Sequence, residues 1–235
     1  MSDDLIPLTD QGRNNAELGE TVRRLSEQAT WKDSRTVIVS PCGTSVPMRT
    51  VAAWTSLQRP PNSACARLFT QNLEVGQAYT QMVEDILGSP TLRDLPFMCT
   101  AEHDNLPPPR GLIDLIGQLH NHPELSAVSG LYFLKSRDGF AHIYGEPGQD
   151  HLRPMLPDPN GGLVECRAIA MGFAVFRLDM FRDDRLRRPW FLSGQHPVGT
   201  QDLYFWDDAA RFGYRCAVDC SVRVGHLDVD SGIVW

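Results

Sequence analysis

The feature that most constrains this chain is an alternation of two hydrophobic periods between residues 36 and 134. Thr36-Val37-Ile38-Val39-Ser40 is a short β-branched run that stops at Pro41-Cys42-Gly43, as a buried strand stops at a turn. A helix is predicted from near Pro47 through Val51, Ala52, Trp54 and Leu57, closed by Arg59-Pro60-Pro61. Residues 64–69 read as the next strand. Residues 76–87, with Met82, Val83, Ile86 and Leu87 on one face, read as the second helix, and Phe97-Met98-Cys99-Thr100 as a third strand. A third helix at 111–121 turns Leu112, Leu115, Ile116 and Leu119 inward, and a strand at 127–134 follows. Strands joined through helices pair in parallel, so the expected fold is α/β, with a doubly wound, mostly parallel central sheet flanked by helices.

The remainder is less regular. Residues 135–163 are dense in Gly, Pro, Asp and Asn, which predicts a hairpin and a long mobile loop of the kind that covers active sites. A strand at 164–169, a helix at 201–212 and a strand at 215–218 are expected to complete the core. Residues 1–34 are polar and read as a lead-in, with a helix at 16–28 whose Leu18, Val22 and Leu25 recur at helical spacing.

At 235 residues, one α/β domain is a better prior than two. The formal charge of -7 gives no general attraction to phosphate backbones or anionic membranes. The densest cationic cluster, Arg182, Arg185, Arg187 and Arg188, is offset by Asp179, Asp183 and Asp184, and reads as a solvated loop or helix end that could still touch an anionic acceptor. No run has the apolar length of a membrane span, and Met1-Ser2-Asp3-Asp4 lacks the basic and apolar regions of a signal peptide, so the expected location is the cytoplasm. The six cysteines form no Cys-x-x-Cys pair and are expected to be reduced packing residues.

Glu102-His103-Asp104 follows the third strand almost directly, beyond the carboxyl edge of a parallel sheet, where open α/β sheets bind ligands. Two carboxylates separated by one residue can divide their tasks: one accepts hydrogen bonds from a ribose, the other holds a hard divalent cation that neutralises a diphosphate. By themselves the same residues also fit a turn and cap leading into the helix after Pro109. His103, His120, His122, His142, His151 and His196 show no metal-ligand spacing.

The segment 99–109, with a hydrophobic strand, acidic-x-acidic and then prolines, resembles the Asp-x-Asp region of GT-A glycosyltransferases, especially small bacterial and viral members of the glycosyltransferase-two-like group. Val128-Ser129-Gly130-Leu131-Tyr132-Phe133, Ala170-Met171-Gly172-Phe173-Ala174 and Pro189-Trp190-Phe191 are similar, in order, to the family's next strand, its glycine turn beside the sugar and the segment before its acceptor loop. Gly199-Thr200-Gln201-Asp202-Leu203-Tyr204-Phe205, with Val222-Arg223-Val224-Gly225-His226-Leu227, resembles its Glu-Asp helix and terminal histidine. The resemblance covers residues 35–228.

It implies a Rossmann-like GT-A domain at 35–235, with a nucleotide-binding half at 35–109 and an irregular acceptor-binding half at 110–235. It implies Mn2+ or Mg2+ on Asp104 and His226, with diphosphate oxygens completing the coordination. Pro41, Gly43, Thr44, Glu102, His103 and Gly172 would meet the nucleotide-sugar donor, Glu102 at the ribose or in support of the metal; Tyr79, on a helix that departs from the family pattern, could instead stack on the base. Trp190 and Phe191 would wall the acceptor site. Asp202 matches the position of the general base in inverting members. Two departures stand out: Gln201 replaces the family's Glu, and Gln77-Ala78-Tyr79-Thr80 lacks the arginine of its Ala-Arg-Asn helix start.

The implied activity is sugar transfer from a nucleoside diphosphate-sugar to an acceptor hydroxyl on a glycan, on a small molecule or on a hydroxymethylated base in viral DNA. A nucleotidyltransferase and a non-catalytic nucleotide-sugar-binding module are the alternatives; the former would carry a richer Gly and Arg/Lys loop than Pro41 to Arg49 offers.

Overall fold

The computed structural model describes residues 32–61, 63–137, 139–194 and 199–235, so the helix expected at 16–28 lies outside the described residues. Residues Ser34–Trp235 pack as one unit. The first half follows the hydrophobic alternation: β1 (Thr36–Cys42), α1 (Met48–Ser56), β2 (Cys65–Gln71), α2 (Val75–Gly88), β3 (Phe97–Ala101), a two-residue β4 (Asn105–Leu106), α3 (Gly111–Asn121) and β5 (Ala127–Leu131). The second half comprises β6 (Ile143–Tyr144), β7 (Leu163–Cys166), β8 (Ala168–Ile169), β9 (Phe173–Arg177), a 3-10 turn at Leu178–Arg182, α4 (Gln201–Ala209), β10 (Cys216–Arg223) and β11 (Gly225–His226).

The central sheet has seven strands in the order β2-β1-β3-β9-β5-β10-β7. β2, β1, β3, β5 and β10 run one way, while β9 is antiparallel to both its neighbours and β7 is antiparallel to β10. The sheet is therefore mixed and mostly parallel, an arrangement compatible with a Rossmann-like fold. Two-sided burial explains the continuous apolar runs: β3, β5 and the body of β1 are buried at every position, as parallel strands covered by helices on both faces must be.

Two expectations in the second half needed correction. The strand predicted at 164–169 divides at Arg167: β7 joins the central sheet, whereas β8 pairs with β6 in a separate ladder. β9, unpredicted, inserts between β3 and β5, its Phe173-Ala174-Val175-Phe176 run being buried throughout.

α2 is capped by Glu74, whose carboxylate accepts from the Gln77 N–H at 3.1 Å, and it buries Tyr79, Met82, Val83 and Ile86. α3 buries Leu112, Leu115, Ile116 and Leu119 at the spacing that the sequence predicts. A third packing centre is aromatic: Phe181, Trp190, Phe191 and Phe205 meet at ring separations of 4.9–6.1 Å. Each such ring contributes about 1.5–3 kcal/mol by leaving water. All six thiols are free, four of them buried. Among the described residues no helix is long and apolar enough to cross a membrane.

Candidate functional site

The acidic loop sits at the carboxyl end of β3, pinned from both sides. The Glu102 N–H donates to the Gly172 carbonyl at 2.9 Å, and the Asn105 N–H returns to the Glu102 carbonyl at 3.1 Å. Thr50, on α1, donates its hydroxyl to the His103 carbonyl at 2.7 Å. A short loop held by three such bonds fixes where its side chains stand.

β4 and β11 bring the distant histidine to this loop. His226 pairs with Asn105 in their two-residue ladder, and the Leu227 N–H donates to the Asp104 carbonyl at 2.7 Å. His226 Nδ1 lies 2.7 Å from the Phe133 carbonyl, which can only accept, so that nitrogen carries the proton. Nε2 lies 3.6 Å from Asp104 Oδ2, where it donates to the carboxylate when it carries a proton and offers a lone pair to a cation when it does not. The ring is held edge-on to Tyr132 and His142.

Asp104 also meets a cation absent from the sequence reading: Lys135 Nζ lies 2.5 Å from the same Oδ2. Burial alone would raise the pKa of Asp104, but the hydrogen bonds and positive charge that His226 and Lys135 bring to it outweigh burial and hold the carboxyl well below the usual carboxylate range. Glu102 shows the opposite balance. Burial first, then the negative charge of Asp104, pushes it up to about 8, against a hydrogen bond from the Tyr79 hydroxyl. Beside them, burial lowers His142 to about 4, and its Nδ1 lies 2.7 Å from the Tyr144 hydroxyl.

A cavity of about 330 Å3 opens over this loop, lined by Pro41, Gly43, Glu102, His103, Asp104 and Gln201 among others. Its volume falls within the range of small-molecule sites, about 300–1,000 Å3. Asp202, in the first turn of α4 next to Gln201, is largely buried and accepts the Leu203 N–H at 2.9 Å. Its charge acts on Glu102, Tyr79 and Tyr132, so it lies within the same electrostatic neighbourhood.

Other expected contacts fall elsewhere. Thr44 is exposed, bonds to Asn72 at 3.1 Å and does not line the cavity. Tyr79 is wholly buried, so it cannot stack on a base; its hydroxyl donates to Glu102 Oε1 at 2.9 Å and supports the loop from below. Gly172 is buried beneath the loop: its N–H donates to the Tyr132 hydroxyl at 2.8 Å, and a Cβ there would stand 2.6 Å from the Asn105 amide. Trp190 and Phe191 are each 1% exposed and belong to the aromatic core, so they form no wall for an acceptor. The Arg182–Arg188 cluster is occupied too: Arg185 pairs with Asp183 and Arg188 with Asp184, Arg187 lies 3.8 Å from Asp207, and Arg182 donates to the Arg93 carbonyl.

Among the described residues, no group of three or more His, Cys, Asp or Glu side chains is arranged to hold a metal by itself. Asp104 and His226 supply two groups of suitable chemistry, a carboxylate oxygen and an imidazole nitrogen that can ligate once it is without a proton, separated by a distance that one ion can bridge. They fit a divalent cation whose other ligands come from a substrate, with Lys135 competing for the carboxylate.

No family model matches the chain, and neither does any curated protein. The solved structure of A197 from STIV is similar to it, with a TM-score of 0.59 and 17% sequence identity over 82% of this chain and 85% of that one. At this identity the likeness extends to the fold alone.

Proposed function

We propose that the chain is a glycosyltransferase of GT-A type, moving a sugar from a nucleoside diphosphate-sugar to an acceptor hydroxyl. The observation that carries this reading is the convergence of Asp104 and His226 beside the strand-end cavity. A bound Mn2+ or Mg2+, held by Asp104 Oδ2 and His226 Nε2, would supply charge neutralisation for a diphosphate leaving group.

The chain's own residues divide the remaining work. Pro41 and Gly43 line the cavity at the end of β1 and shape the space for the nucleoside. Glu102, steadied by Tyr79, offers a carboxyl group to a ribose hydroxyl. Lys135 holds Asp104 Oδ2 in place and competes with the cation for it. Asp202, at the start of α4, takes the proton from the acceptor hydroxyl as it attacks the anomeric carbon. Three of the four arginines at 182–188 face a carboxylate, which offsets the positive charge of that stretch and favours a glycan or small-molecule acceptor over DNA.

The test is a transfer and donor-hydrolysis assay across UDP-, GDP-, CDP- and TDP-sugars with Mn2+, in the wild type and in Asp202→Asn. Release of nucleoside diphosphate that falls in D202N, with nucleotide binding retained, supports the reading. Binding without release for every donor would reduce the chain to a non-catalytic module.

A further inference from the structure

A second and larger cavity, about 810 Å3, opens between α1 and the first two strands and shares no lining residue with the strand-end cavity. Ile38 of β1 is in register with Arg67 of β2, and Ser40 with Phe69, so Arg67 and Phe69 face the same side of an edge strand. Trp54 of α1 stands over them.

Arg67 is the unusual group. Its guanidinium carbon lies 4.9 Å from the Trp54 ring centroid and 5.8 Å from that of Phe69. Among the described residues it has no hydrogen bond or ion pair, although it is half-buried. Ring faces offset part of the lost hydration, but they accept none of its N–H donors. Arg59 adds a second positive charge to the lining, and among the described residues no acidic side chain lines the cavity. Phe69, 58% exposed, leaves an aromatic surface open beside this charge. Burial lowers the pKa of Arg67, the direction expected of a cation that lacks a counter-charge.

We propose that this cavity binds a small planar anion, with a ring stacked on the exposed Phe69 and a carboxylate, phosphate or sulfonate on Arg67 and Arg59, while the largely buried Trp54 backs the guanidinium. The ligand's anionic group supplies the acceptors that the guanidinium lacks, and its ring covers the exposed face of Phe69. The site lies apart from the acidic loop and operates whether or not the chain transfers sugars.

The test is an NMR titration of the full chain with naphthalene-1-sulfonate, with neutral 1-naphthylmethanol as the control. The Trp54 indole N–H resonance, assigned by its loss in Trp54→Phe, is the local reporter. The sulfonate is expected to move it saturably, and Arg67→Met to weaken binding by about tenfold or more, the loss of a charged hydrogen bond. Arg67→Lys should retain most of the affinity, Arg59→Met should lose part of it, and Asp104→Ala should leave it unchanged. Equal binding of the neutral analogue, an unmoved Trp54 signal, or full affinity in R59M together with R67M would overturn the proposal.

Discussion

His226 Nε2 stands 3.6 Å from Asp104 Oδ2, and the same oxygen receives the Lys135 ammonium at 2.5 Å. One carboxylate oxygen therefore faces an imidazole nitrogen on one side and an ammonium on the other. Under the proposed function the imidazole joins the carboxylate in holding a divalent cation, and the ammonium opposes one.

Removing either side should thus have opposite effects. Asp104→Ala and His226→Ala are expected to weaken Mn2+ binding in the presence of a nucleoside diphosphate by about 10–100-fold, the scale of losing a ligand or its orientation. Lys135→Met is expected to tighten it, because the ion no longer competes with an ammonium. Isothermal titration calorimetry with Mn2+ and UDP or GDP reads all three; tightening in D104A or loosening in K135M would contradict the assignment.

Asp202→Asn keeps the shape of the side chain and removes its basicity. Transfer is expected to drop by about 10²–10⁴-fold, with donor binding within a factor of a few of wild type. Parallel loss of both would point to a structural role for this largely buried carboxylate.

Gly172→Ala places a methyl group against the Asn105 amide, 2.6 Å away, inside a packed region. A destabilisation of about 1–3 kcal/mol is expected from such overpacking, measured by denaturant unfolding. Tyr79→Phe removes the hydroxyl that donates to Glu102 and should cost about 1–3 kcal/mol without altering preference among nucleotide bases. A base-selective change in Y79F would restore the stacking role that its burial argues against.

Phe191→Ala empties a core site ringed by Tyr79, Phe181 and Phe205. A loss of about 3–5 kcal/mol is expected, seen as a lowered unfolding midpoint. A stable F191A protein with a raised acceptor KM would instead return this ring to the acceptor site.

The first half of the fold was legible because its strands are buried on both faces and stop at proline and glycine turns. Residues 111–121 form the helix at the boundaries that its leucine spacing predicts. β9 was not legible: Phe173-Ala174-Val175-Phe176 follows a glycine that reads as a turn, and nothing local says that the strand enters the sheet antiparallel between β3 and β5. In the candidate site, the acidic loop announced itself by its place after a strand. Whether His226 reaches that loop depends on a ladder of two residues against two, too short to leave a periodic pattern. Lys135 had a weak signal, a lone lysine a few residues beyond the end of β5, inside a stretch dominated by turn residues. The roles expected of Trp190, Phe191 and Tyr79 failed for one reason: an aromatic beside proline or on a helix looks the same in sequence whether it faces a ligand or the core.

Whether Asp104 and His226 together form a nucleotide-dependent cation site is read by thermal shift with UDP-, GDP-, CDP- and TDP-sugars, each with and without Mn2+. At least one donor is expected to raise the unfolding midpoint of the wild type only when Mn2+ is present, and the increment to disappear in both Asp104→Ala and His226→Ala. An equal increment without Mn2+, or one that survives in both variants, would contradict that assignment.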